Sequence, residues 1–120
     1  MKKDYKNFNY LKEKLSLLMS KYCIYSFRLK NQNLTNNNKK DLKQYRLYLN
    51  YVNKILEVMD TDNAEIIRKL YILRCDWTAL GYSRSCYYDH RKKAVLNFFD
   101  YYEDIYDHLQ FTILFEKNKS

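Results

Sequence analysis

Two stripes of apolar residues at helical spacing dominate the first half of the chain. The first recurs every three or four residues within residues 4–30, and its members are Phe8, Leu11, Leu15, Leu18, Tyr22, Tyr25 and Leu29. The second has the same spacing, and its members are Leu42, Tyr45, Leu49, Val52, Leu56 and Met59. Because residues three and four apart share one face of an α-helix, each stripe predicts a long amphipathic helix.

The segment between the two stripes is polar and short. Residues 31–38 read Asn-Gln-Asn-Leu-Thr-Asn-Asn-Asn, and asparagine competes with helix formation by bonding to its own backbone. The pattern predicts a loop that joins an antiparallel helical hairpin. Two alternatives stay open at this point: each stripe could face other helices of the chain, or the heptad-like seams could pair two copies as a homodimer.

A third helix is predicted after residues 60–63. Asp62 and Glu65 have the spacing of a capping box, which favours a helix start here and a helix that runs through Arg74. Its expected buried residues are Ile66, Ile67, Leu70, Tyr71 and Leu73. About one further helical turn is expected over residues 76–80.

Gly81 is the one glycine of the chain, and it interrupts this helical pattern. Glycine adopts the positive φ that ends a helix, and Ser83 can cap the next helix through the amide of Ser85 or Cys86. After Ser83 the pattern predicts a helix of about 30 residues. Its shared face consists of Tyr87, Ala94, Phe98, Tyr102, Ile105, Leu109 and Ile113. A tight glycine turn between two helices is the outline of a helix-turn-helix.

Composition supports an all-α chain. It contains no proline and a single glycine, so few positions force a helix to stop. We expect one domain over residues 1–120, with a helical hairpin at 1–60 and the helix-turn-helix with its long last helix at 61–120. Three cysteines without paired spacing favour reduced thiols, and no apolar run predicts a signal peptide or membrane span. We therefore expect a cytoplasmic protein that makes no membrane contact.

The charge is unevenly distributed. The net charge is +8, which favours a polyanionic partner. Residues 1–60 carry 13 basic and five acidic side chains, whereas residues 61–120 carry nine of each. The positive field is therefore expected mainly around the N-terminal half.

The sequence around Gly81 resembles a known DNA-binding motif. Residues 80–88 read Leu-Gly-Tyr-Ser-Arg-Ser-Cys-Tyr-Tyr, and His-Arg-Lys-Lys-Ala-Val follows at residues 90–95. This run resembles the helix-turn-helix of sigma-factor region-4-like proteins, and within them the ArpU/RinA type of phage late-gene regulators and related small proteins of low-GC bacteria. The resemblance covers about residues 66–102. Trp77 stands where that family usually has a small residue.

The resemblance implies a recognition helix that starts at Ser83 and enters the major groove of double-stranded DNA. Arg84 would bond guanine O6 and N7, and Ser85 or Tyr88 would reach a base edge or a phosphate. Asp89 would share the exposed face, while Cys86, Tyr87 and Ala94 would face inward. Phosphate contacts are expected from five basic residues, which are Arg91, Lys92, Lys93, Arg68 and Lys69. Gly81 and Ser83 would form the structural turn.

Other residue groups suggest less specific chemistry. Asp100, Glu103, Asp104 and Asp107 form an acidic stripe on one helix face. This stripe could bind a metal ion, repel DNA from the wrong face, dock against the lysine-rich hairpin of the same or a second chain, or simply face solvent. Cys86 and His90 lack the paired spacing of a zinc site, so we expect His90 to pack the turn and no metal to bind. No phosphate loop or nucleophile motif is present, and we expect neither catalysis nor a cofactor.

The sequence therefore predicts a non-catalytic, DNA-binding transcriptional regulator, with RNA polymerase as a further candidate partner. The alternative is a helical scaffold or assembly protein, such as an RNA polymerase-associated factor or a phage packaging subunit. That protein would use the same motif for protein contacts.

Overall fold

Every regular element in the described part of the chain is helical. A computed structural model describes residues 8–32 and 38–119, with side chains described up to residue 102. The α-helices are α1 (Phe8–Lys30), α2 (Lys39–Val58), α3 (Thr61–Ile67) and α4 (Arg84–Lys119). A π-helical segment, Arg68–Ile72, continues α3, and a 3₁₀ turn, Trp77–Leu80, precedes α4. The all-α prediction is confirmed. None of the helices in these ranges is long and apolar enough to cross a bilayer.

The helices α1 and α2 pack against each other in opposite directions. Tyr22 Oη donates to Asn53 Oδ1 at 2.8 Å, and further along α1, Arg28 Nη1 donates to Tyr45 Oη at 2.9 Å. The partners come in reverse order along α2, so the two helices are antiparallel. The two apolar stripes thus contribute to one core within the chain. The most buried row of α1 has four-residue spacing and consists of Leu11, Leu15 and Met19.

The start of α3 depends on a distant side chain rather than on a local cap. Asp60 occupies the N-cap position without a side-chain cap bond, and Glu65 pairs with Lys69 instead. The predicted capping box of Asp62 and Glu65 is therefore wrong. Asn97 on α4 takes over, because its Oδ1 accepts from both the Asp60 amide and Asn63 Nδ2, each at 3.1 Å.

The end of the third helix also differs from the prediction. The Leu73 amide donates to the Arg68 carbonyl at 2.8 Å, a five-residue step that widens the turn and shifts the faces of the following residues. Leu73 is consequently 67% exposed, not buried. Arg74 does not continue the helix, since its φ is +59°. The Cys75 amide then bonds the Lys69 carbonyl at 2.8 Å and closes the helix end.

The long helix α4 passes along all three other helices. Ala94, Val95, Phe98 and Phe99 are fully or almost fully buried among residues of α1, α2 and α3. Tyr51 Oη donates to the Tyr102 carbonyl at 2.8 Å inside the core. The predicted buried face is confirmed at Tyr87, Ala94, Phe98 and Tyr102; its remaining members, Ile105, Leu109 and Ile113, lie outside the described side chains.

Gly81 forms the turn between the 3₁₀ turn and α4. Its φ is +78°, and its amide donates to the Thr78 carbonyl at 3.2 Å. The left-handed conformation costs an L-residue about 1–2 kcal/mol, whereas no atom outside Gly81 and its two chain neighbours lies within 4 Å of the position that a Cβ would occupy. Glycine is therefore needed here for its backbone conformation and not for space.

We expect Gly81→Val to lower the free energy of unfolding by about 1–2 kcal/mol, because valine must adopt the left-handed conformation. Gly81→Asn is the matched control, since asparagine tolerates that conformation and should cost clearly less. Urea titration followed by circular dichroism measures both. Equal losses for the two variants would show that backbone conformation is not the cause.

We expect Asn97→Ala to destabilise the fold by about 1 kcal/mol, because two hydrogen-bond donors at the start of α3 lose their acceptor. Asn50→Ala, at an exposed position of α2, measures the gain in helix propensity alone. The same urea titration compares the two. An Asn97→Ala protein as stable as Asn50→Ala would contradict the role given to Asn97.

Candidate nucleic-acid interface

The first turns of α4 form a capped and exposed helix start. Ser83 Oγ accepts from the Cys86 amide at 3.4 Å, and the Ser83 carbonyl accepts from the Tyr87 amide at 2.8 Å. The predicted roles of Gly81 and Ser83 in the turn are thus confirmed. The exposed side chains of these turns are Arg84, Ser85, Cys86, Tyr88 and Asp89.

Cys86 does not face inward as the sequence suggested. It is exposed, while Tyr87 takes the inward position, with its ring centroid 5.4 Å from that of Trp77. Consecutive residues of an α-helix are rotated by about 100°, so both cannot point into the same contact. The prediction that Cys86 is buried is therefore wrong. Trp77 takes part in the packing through its ring contact with Tyr87.

His90 packs the turn, as predicted. Its ring stacks on Tyr82 with a centroid distance of 4.1 Å and an interplanar angle of 13°. Tyr82 lies in the turn itself, one residue after Gly81. The stack therefore ties the second turn of α4 to the segment that precedes it. No group of three or more metal-ligating side chains lies together in the described residues.

Three of the five basic side chains predicted to contact phosphate lie at the surface, and the other two pack against Phe8. Lys93 and Arg68 are exposed. Lys69 is half-buried, and its Nζ lies 3.1 Å from Glu65 Oε1. Surface ion pairs of this kind contribute little to stability, so the Lys69–Glu65 pair can open at small cost.

Arg91 and Lys92 are more restricted than the sequence suggested. Both are half-buried. The Arg91 guanidinium carbon lies 5.5 Å from the ring centroids of Tyr87 and Tyr88 and 5.7 Å from that of Phe8. Lys92 Nζ lies 5.3 Å from the same Phe8 ring. These cation–π contacts bring the start of α1 against the third turn of α4.

The contact between Phe8 and α4 was not predicted from the sequence. The helical spacing of Phe8 assigns it to the stripe that is predicted to pack α1 on α2. Nothing local in the sequence reports a contact between residues so far apart in the chain. As a result, the most accessible part of the motif is the first two turns of α4.

The acidic stripe is described only at its first member. Asp100 is exposed, and the side chains of Glu103, Asp104 and Asp107 lie outside the described residues. The described interface consists of a glycine turn, a serine-capped helix start and exposed polar and basic side chains. Comparisons of the chain with protein-family models, curated proteins and solved structures found no match.

Proposed function

We propose that this protein is a non-catalytic, cytoplasmic, DNA-binding transcriptional regulator of the sigma-region-4-like helix-turn-helix type. The observation that carries the proposal is the left-handed Gly81 followed by a Ser83-capped helix whose first turns are exposed. Helix starts of this kind place side chains and backbone amides where a DNA groove can accept them. RNA polymerase is a further candidate partner, implied by the sequence resemblance.

In this mechanism the first two turns of α4 enter a major groove. Arg84 presents its guanidinium fork to guanine O6 and N7, which is a common specific contact. Ser85 and Tyr88 reach a neighbouring base edge or phosphate. Tyr88 is 46% exposed although its ring lies against Tyr87, so its hydroxyl is carried on a supported ring.

Phosphate contacts then fix the orientation of the helix. Lys93, Arg68 and Lys69 supply charge outside the recognition turns, and the basic N-terminal half adds a longer-range field. Arg91 and Lys92 mainly hold α1 against α4 and contribute less to phosphate binding. Because phosphate contacts release counterions, binding should weaken steeply as salt rises.

We expect Arg84→Ala to weaken binding to a preferred duplex by roughly 1–3 kcal/mol and to relax the preference at one base pair. The preferred duplex comes from a selection on random duplexes with the purified protein. Arg46→Ala is the charge-matched control, because Arg46 is exposed on α2 outside the motif. Fluorescence anisotropy measures both affinities, and circular dichroism checks the fold.

Equal affinities for Arg84→Ala and Arg46→Ala would exclude Arg84 as a base-reading residue. Failure of the wild-type protein to bind any duplex at about 50–100 mM salt, where phosphate contacts are strong, would contradict the proposed function as a whole.

A second candidate function, self-assembly through protein contacts, is favoured by an exposed apolar row on α1. Tyr10, Leu17 and Ile24 follow one another at seven-residue intervals, and Phe27 lies three residues further on. All four are at least 50% exposed. This row is separate from the apolar stripe that packs on α2, and it lies on α1 rather than in the helix-turn-helix motif.

The partner that best fits this row is a second copy of the chain. A seven-residue apolar repeat forms a seam along one side of a helix, which an identical helix can match by winding around it. Leu73 is also exposed, at 67%, and the following residue, Arg74, donates from Nη2 to Ser20 Oγ on α1 at 3.1 Å. Covering five large apolar side chains buries several hundred Å² per copy, a substantial part of the roughly 800 Å² per partner of a standard interface.

We expect the double variant Leu17→Lys, Ile24→Lys to weaken self-association at least tenfold, because it places charges in the seam. Val58→Lys, at a 40% exposed apolar position of α2, is the matched control. Sedimentation equilibrium measures the dissociation constants. Added salt should not weaken self-association, in contrast to duplex binding. Apolar contacts do not depend on charge, and salt screens the repulsion between the Lys14 and Lys21 side chains of the two copies. A wild-type protein that stays monomeric at about 100 μM would contradict this function.

A further inference from the structure

A cleft with a volume of about 360 Å³ lies between α1, the end of the third helix and α4. The lining includes Lys12 and Ser16 of α1, Tyr71 and Cys75 near the end of the third helix, and Trp77, Tyr87 and Arg91. Its volume falls within the lower part of the range for small-molecule sites. The cleft lies beside the interface already described, and none of the exposed residues of the first turns of α4 lines it.

The electrostatic potential in this cleft depends on which of its charged side chains are shielded from water. The two cationic side chains, Lys12 and Arg91, are half-buried, whereas the two acidic ones, Glu13 and Asp76, are exposed. Charges act more strongly where less water screens them. The Asp76 carboxylate is also engaged in the 3₁₀ turn, since it accepts from the Trp77 amide at 2.8 Å and from Thr78 Oγ1 at 3.2 Å. The cations therefore dominate the cleft.

The guanidinium of Arg91 lacks a carboxylate partner among the described residues. No carboxylate of the described residues forms an ion pair with it, and its buried Nε finds no hydrogen-bond partner there. The rings of Phe8, Tyr87 and Tyr88 lie near the guanidinium, but ring contacts leave the in-plane N–H groups without oxygen acceptors. A planar carboxylate or a phosphate supplies such acceptors at the guanidinium edge.

Three of the uncharged lining residues, Tyr71, Trp77 and Tyr87, are aromatic. The Trp77 and Tyr87 rings are 5.4 Å apart at an interplanar angle of 33°. Tyr71 is also partly buried, and this burial raises the pKa of its hydroxyl, against a smaller lowering by the positive charge of Arg91. Tyr71 thus stays neutral near pH 7 and can donate a hydrogen bond. Flat apolar groups pack well on such rings.

We infer that this cleft binds a small organic anion with a planar apolar body, held by Arg91 and Lys12 through its anionic group and by Trp77 and Tyr87 through its ring. Arg91 binds the anionic group of the ligand, and the environment of the Trp77 indole changes when the ligand is bound. The inference does not depend on DNA binding, because it uses none of the exposed residues of the first turns of α4.

Trp77 is the one tryptophan of the chain. Its indole N–H therefore gives the single indole peak in a nitrogen–proton correlation NMR spectrum, and that peak needs no further assignment. The probes are 2-naphthoate, its uncharged isostere 2-naphthamide, and inorganic phosphate, which has the charge without the ring. We expect 2-naphthoate to shift the Trp77 peak in a saturable manner. Both 2-naphthamide and phosphate should bind at least tenfold more weakly.

The variants separate the cleft from general surface charge. Arg91→Met keeps an unbranched apolar side chain and should weaken 2-naphthoate binding at least tenfold. Lys54→Met removes the same charge at an exposed position of α2, away from the cleft, and should leave 2-naphthoate binding unchanged. Lys12→Gln gives a second test if Arg91→Met does not fold, and it should weaken binding several-fold.

Three results would overturn the inference. They are a Trp77 peak that does not move with 2-naphthoate up to the millimolar range, equal affinities for 2-naphthoate and 2-naphthamide, and equal losses in Arg91→Met and Lys54→Met. Phosphate binding as strong as 2-naphthoate binding would also overturn it, by removing the need for a planar body. Duplex binding is measured separately, so failure here leaves the proposed function standing.

Discussion

Burial of one face of α4 holds the rest of the structure together. Val95, Phe98 and Phe99 have almost no exposed surface, and α4 packs against α1, α2 and α3. Each large apolar side chain buried in this way contributes about 1.5–3 kcal/mol. The hydrogen bonds from Tyr51 to the Tyr102 carbonyl and from Asp60 and Asn63 to Asn97 fix the direction of the neighbouring helices along α4. Without this face, the α1–α2 pair and α3 would lose their common partner.

The same helix carries the candidate interface, and this arrangement constrains it. The buried face supports α4 from Tyr87 onward, so its first turns project as a rigid, exposed end rather than as a loop. A contact made by Arg84 would therefore restrict little more than the rotamers of that side chain. Phe8 covers part of the third turn through Arg91 and Lys92, which separates an accessible tip from a half-buried flank. The cleft beside Arg91 belongs to that flank.

Two residues in the left-handed region bracket the segment between α3 and α4. Gly81 has φ +78° and Arg74 has φ +59°. Glycine adopts this conformation readily, whereas an arginine does so only where the surroundings compensate. At Arg74 the compensation includes the Cys75 amide bond to the Lys69 carbonyl and the Arg74 bond to Ser20 of α1. The short connection thus positions Trp77 and the cleft by tertiary contacts as much as by local preference.

The sequence by itself determined the all-α class, the positions of α1, α2 and α4, and the Gly81–Ser83 turn. These features follow from apolar spacing, helix-breaking composition and capping chemistry, all of which act over a few residues. Only the tertiary structure determined the hydrogen bonds of Asn97 to Asp60 and Asn63 and the π-helical end of the third helix. It also determined the exposure of Cys86 and Leu73 and the contact of Phe8 with Arg91. Each of these features depends on packing between helices that are distant in the chain or on a change of helical register. The apolar periodicity of the sequence specifies which residues share a helix face, but not which other element covers that face.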